Sequence, residues 1–138
     1  MAQNPDRRHV LAALAAGASV FGLSACKGQS REAGAVKAAA IVTMSDALKF
    51  SPQSVHIHSG DVVEWRNTSL LVHTVTADPS LAALPSSARL PAGAKPFNSG
   101  NLDPDGVFRH RFTTPGTYKY FCIPHEAAGM TGEVVVQP

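Results

Sequence analysis

Between Ile41 and Gln137 the apolar residues come in short runs, with Gly, Pro, Asn, Asp or Ser between them. The runs are "IVTM", "SVHIH", "VVEWRN", "LLVHTVTA", "VFRHRFT", "TYKYFC" and "GEVVVQ". They are rich in β-branched and aromatic side chains and are of strand length. No stretch carries a convincing helical period. Many short strands in about 100 residues predict an all-β domain, a β-sandwich with Greek-key connections. The chain has 138 residues, enough for one such domain, and 44% hydrophobic content, enough for a packed core. A formal charge of +2 is too small to imply nucleic acid.

Residues 1–25 read as a segment outside the fold. Arg7 and Arg8 precede an apolar, Ala- and Gly-rich run over residues 10–23, which ends at "LSAC". The run is shorter than the roughly 20 residues a membrane-spanning helix needs. It reads as an export signal of lipoprotein type, with the paired arginines resembling a twin-arginine signal. Cys26 is then expected to become the lipid-bearing anchor. Residues 26–39 follow as a flexible tether of Ala, Gly, Ser and mixed charge. The domain is placed at residues 40–138, outside the cytoplasm, in the periplasm or on the outer side of the cytoplasmic membrane. It is read as a monomer.

If Cys26 is acylated, Cys122 is the remaining thiol. An unpaired thiol in an exported domain is a liability unless it is buried or ligated. In "GTYKYFCIPHEAAGM", Cys122 ends an aromatic strand, His125 follows three residues later and Met130 five beyond that. Pro124 stiffens the turn between Cys122 and His125. His73, the isolated histidine of "LLVHTVTA", is the candidate fourth donor. One thiolate, two imidazoles and a weak axial thioether form the donor set of a blue-copper electron-transfer centre. The expected metal site is therefore His73, Cys122, His125 and Met130, holding one copper ion. Zinc fits less well, since a thioether is a poor zinc ligand. Of the other histidines, His56 and His58 share the outer face of one strand, while Val55 and Ile57 take the core face. His110 is read as a partly buried packing residue and Trp65 as core. Arg109, Arg111 and Lys119 are read as a solvated basic face.

These residues resemble the small cupredoxins, and plastocyanin-like blue-copper proteins above all. "GTYKYFCIPHEAAGM" is similar to their ligand loop in its Cys-x-x-His-x-x-x-x-Met spacing, its Pro before the His and its Ala-Gly before the Met. "FSPQSVHIHSGDVVEWRNTSLLVHTVTA" resembles their first half, in which a Gly-Asp turn, a Trp and an Asn lead to the first ligand histidine. Glu126 departs from the pattern by adding a charge beside His125. The resemblance implies a cupredoxin-like fold and one-electron exchange with redox-protein partners, not enzymatic catalysis. It also implies a Thr74 N–H bonded to the Cys122 sulfur. His125 would present its ring edge to partners, ringed by Leu71, Pro124 and Ala128. The alternative is a carrier or store that delivers copper instead of electrons.

Overall fold

The computed structural model describes residues 36–138, so the readings on the signal segment, on Cys26 and on most of the tether lie outside the described residues. Nine strands form two sheets. They are β1 (Ala40–Ser45), β2 (Lys49–Ser51), β3 (Ser54–His58), β4 (Val62–Asn67), β5 (Thr76–Ala77), β6 (Phe97–Asn98), β7 (Val107–Arg111), β8 (Gly116–Phe121) and β9 (Thr131–Gln137). One sheet runs β2-β1-β4-β7 and the other β3-β9-β8-β5-β6. The chain passes back and forth between them, so most sheet neighbours are not neighbours in sequence, as Greek-key connections require. β1 lies parallel to β4 and β3 parallel to β9, while the other pairs are antiparallel.

Alternation builds the core. In β3, Val55 and Ile57 are buried while His56 and His58 are exposed. In β9, Gly132, Val134 and Val136 face inward. Trp65 is fully buried at the centre and touches four rings: Phe97, Phe108, Phe112 and Tyr120, the last edge-on at 5.4 Å between centroids. Such contacts contribute beyond the area they bury. His110 is half-buried and stacks on Phe97 with centroids 4.0 Å apart. Burial lowers its pKa below the ordinary imidazole value.

Gly132 is required by packing rather than by backbone angle. It faces Tyr120 across the β8–β9 ladder, and a Cβ added there would collide with the Tyr120 ring. Tyr120 is fully buried and cannot swing out. Gly132→Ala is expected to cost about 2 kcal/mol of overpacking, a fall in Tm of roughly 10 °C. Thermal unfolding followed by circular dichroism checks it.

Two expectations need correction. "LLVHTVTA" is not a full strand: Leu70, Leu71 and Val72 are exposed, and only Thr76 and Ala77 pair in a sheet, apart from an isolated bridge between His73 and Leu102. The cause is Asn67, whose side chain takes the Leu71 carbonyl (2.7 Å) that a ladder would otherwise use. Arg109, Arg111 and Lys119 are exposed, as expected, but they do not share one surface. Arg109 and Arg111 lie on β7 and Lys119 on β8, in different sheets. Arg109 is paired with Glu64 at 2.7 Å, and Arg111 donates to the Gly60 carbonyl at 2.5 Å. The long Pro-rich stretch before β7 is tied down by a two-bond bridge between Arg89 and Lys119 and by β6.

Candidate metal centre

The β8–β9 connection is a 3-10 segment over Ile123–Ala128 between two strands that pair up to Phe121 and Thr131. Its mouth is closed by the Cys122 N–H donating to the Met130 carbonyl (3.1 Å). Inside, the His125 N–H donates to the Cys122 carbonyl (3.1 Å) and the Met130 N–H to the His125 carbonyl (3.3 Å). Gly129 ends the turn at φ 77°, a conformation that favours glycine, and its N–H returns to the Glu126 carbonyl at 2.8 Å. A short, internally bonded loop thus sets Cys122, His125 and Met130 at fixed offsets.

His73 lies in the connection from β4 to β5, the strand that pairs with β8. Its N–H and C=O both bond to Leu102, at 3.1 and 2.8 Å. Its ring Nε2 lies 2.9 Å from the Ser69 hydroxyl. That hydroxyl is within reach of two acceptors, Asn67 Oδ1 (2.8 Å) and the Leu71 carbonyl (3.2 Å), so it gives its proton away and accepts from Nε2–H. The Nδ1 lone pair of His73 is thereby turned toward the site. Asn67 anchors the whole turn: its amide reaches the carbonyls of Leu71, Leu102 and Asp103 at 2.7, 3.0 and 3.1 Å.

Three donor atoms converge. Cys122 Sγ is 3.5 Å from His73 Nδ1 and 3.3 Å from His125 Nδ1, and the two nitrogens are 3.2 Å apart. The centre of such a triangle lies about 2 Å from each corner, the bond length of a first-row ion to nitrogen. His73 and Cys122 are fully buried and His125 is half-buried. Burial, then the neighbouring His125, lowers the His73 pKa, against a small opposing pull from Asp46. Burial pushes the Cys122 thiol up, only partly offset by the Thr74 N–H. A cation bound between a buried neutral imidazole and this thiol would stabilise the thiolate. The donor set therefore fits a soft-tolerant transition ion such as copper.

Thr74 clamps the two halves. Its N–H donates to Cys122 Sγ at 3.3 Å, as the resemblance implied, and its hydroxyl accepts the Ile123 N–H at 2.8 Å. Met130 is fully buried at the far end of the loop. His56, His58 and His110 lie elsewhere, as expected. Three roles escaped the sequence reading: the support given by Asn67 and by Ser69, and the backbone partners of Glu126. Asn67 ends β4 and Ser69 follows two residues on, which is the spacing of an Asx turn and the available signal. Glu126 is buried, and its carboxylate accepts the N–H groups of Ala83 and Leu84 at 3.0 and 2.8 Å. Burial raises its pKa, but the Leu84 N–H, then the Ser87 side chain and the Ala83 N–H, outweigh burial and hold it below the usual carboxylate value.

The comparisons agree with this geometry. The family profile described as "Copper binding proteins, plastocyanin/azurin family" matches residues 37–137. The chloroplastic plastocyanin of Tetradesmus obliquus is 38% identical over 125 residues, covering 91% of this chain and 80% of that one. The plastocyanin of Scenedesmus fuscus is 36% identical over 97 residues, covering 67% and 91%. Among solved structures, the Cu(I) form of an amicyanin mutant superposes with a TM-score of 0.56 at 27% identity, covering 76% of this chain and 88% of that one. The chain belongs to the plastocyanin/azurin family of copper-binding proteins.

Proposed function

We propose that this chain is a one-electron carrier whose copper is held by His73, Cys122, His125 and Met130. The observation that carries the reading is the convergence of three donor atoms within 3.5 Å of one another from two separate loops. Bound copper supplies a Cu(II)/Cu(I) couple. The protein's part is to keep the donors still. His73 is held by Ser69 and Leu102, Cys122 by Thr74, and His125 by its own loop. Little movement between oxidation states means fast exchange. Met130 would supply the weak thioether, and its place on the ligand loop and its burial support that reading.

His125 is the one donor residue of the triangle with partial exposure. Leu71, Pro124 and Ala128, the residues expected to ring it, are all exposed. Its ring edge is the port for electrons, and the apolar surround suits brief contact with redox-protein partners. The buried, three-sided site supports electron carriage over the delivery of copper to another protein. The role is carriage without chemical transformation of a substrate. We place the protein outside the cytoplasm as a monomer, exported by the segment over residues 1–25 and anchored through a lipid on Cys26. Residues 26–39 act as the tether. The pattern of Arg7, Arg8 and "LSAC" supports this placement.

Copper titration tests the function. Metal-free protein given Cu(II) is expected to turn intensely blue at one equivalent and to bleach reversibly with ascorbate. Pale colour, with ready loss of copper to a modest chelator, would favour copper delivery instead.

A further inference from the structure

Glu126 is a buried carboxylate for which the ion pairs of the described residues provide no cation. Its two oxygens are each spent on a backbone N–H: Oε2 on Ala83 at 3.0 Å and Oε1 on Leu84 at 2.8 Å. These donors lie more than forty residues away, just past the 3-10 turn over Pro79–Leu81. Hydrogen bonds to an ionised group are about twice as strong as neutral ones. Residues 82–86 belong to no strand, and Leu84 is otherwise engaged only through its carbonyl, which accepts the Ser87 N–H at 3.0 Å. The carboxylate is thus the main polar tie between this turn and the ligand loop. On its own side, Glu126 is bonded to His125 through the chain, and its carbonyl accepts the Gly129 N–H at 2.8 Å.

We propose that Glu126 is a positioning residue. By fastening the ligand loop to residues 82–86 it holds the His125 imidazole in the donor triangle, with or without metal. Of the three donor residues His125 has the least support. His73 has Ser69 and Leu102, and Cys122 has Thr74, whereas among the described residues the polar contacts of the His125 ring are to the other two donors. What steadies it must act through its loop. The same tie keeps Leu81 and Leu84, each about half exposed, fixed beside that loop. This inference rests on the copper-carrier reading, but its first test does not.

The test compares the full chain with E126Q and E126A. Glutamine keeps one oxygen acceptor but turns an NH2 toward the second N–H, so it is expected to fall between the other two. In metal-free protein, amide exchange at Ala83 and Leu84 is expected to quicken about tenfold or more in E126A, with broadening or doubling of the His125 ring resonances. In copper-loaded protein the blue band is expected to persist, while copper leaves the reduced form about tenfold faster. Unchanged exchange at Ala83 and Leu84 would remove the tie. Faster exchange with unaltered His125 resonances and copper release would leave Glu126 a purely structural residue and overturn the positioning role. A wild-type chain that takes no blue copper would sink the carrier reading, and the metal-free arm would still decide whether Glu126 positions His125.

Discussion

A Cys122→Ser chain is expected to lose the intense blue colour and the reversible one-electron couple while keeping its fold. The colour requires a thiolate sulfur, which a serine oxygen cannot replace whether or not it ionises. The fold has reason to survive: the hydroxyl is small, and the Thr74 N–H that now faces sulfur at 3.3 Å can donate to oxygen instead. Loss of that longer contact and of sulfur's apolar packing costs about 1 to 2 kcal/mol. Losing a directly bonded donor weakens copper binding by more than the roughly 10- to 100-fold that follows removal of an outer support. Absorption and electron paramagnetic resonance on copper-titrated protein, with circular dichroism as the fold control, read the outcome. A variant that remains blue would show that Cys122 is not the ligand.

Asn67→Asp is expected to be the most damaging isosteric change in the domain, and worse than Asn67→Ala. The Asn67 amide nitrogen faces three carbonyls, those of Leu71, Leu102 and Asp103. Replacing it with a carboxylate oxygen sets a buried negative charge against three acceptors with no donor between them. An uncompensated buried charge costs about 3 to 5 kcal/mol, a fall in Tm of at least 12 °C for a domain of this size. Alanine leaves the same carbonyls unpaired but adds no charge, so its cost is about 2 to 3 kcal/mol. Both variants free the turn that carries Ser69, so copper binding at His73 is expected to weaken as well. Denaturant melts of the three proteins check the order. An aspartate variant as stable as the wild type would contradict the hydrogen-bond assignment.

The fold class and the residue types of the converging donors His73, Cys122 and His125 were legible in the sequence. Alternation at "SVHIH" put Val55 and Ile57 inside, since a strand's period of two leaves no other choice. The Cys122–His125–Met130 spacing spans one short loop, and Pro124 narrows its shapes, so those offsets already constrain where the side chains point. Boundaries failed where a side chain competed with the backbone. Asn67 captured the Leu71 carbonyl, and a run that read as a strand became an exposed turn around His73. Lys119 read as a neighbour of Arg109 and Arg111, but consecutive strands fell in different sheets.

By itself the chain's order of residues determined the chemistry on offer: one thiolate, two imidazoles and a thioether at set intervals, on strands that must pack into a sandwich. Only the tertiary structure decided that His73 meets Cys122 and His125 with its Nδ1 facing in, that Thr74 clamps the sulfur, and that Glu126 spends its charge on the N–H groups of Ala83 and Leu84. The reason is range. Periodicity and spacing act over a few residues, whereas these contacts join segments more than forty residues apart, and which distant groups satisfy a buried polar atom is settled when the two sheets close.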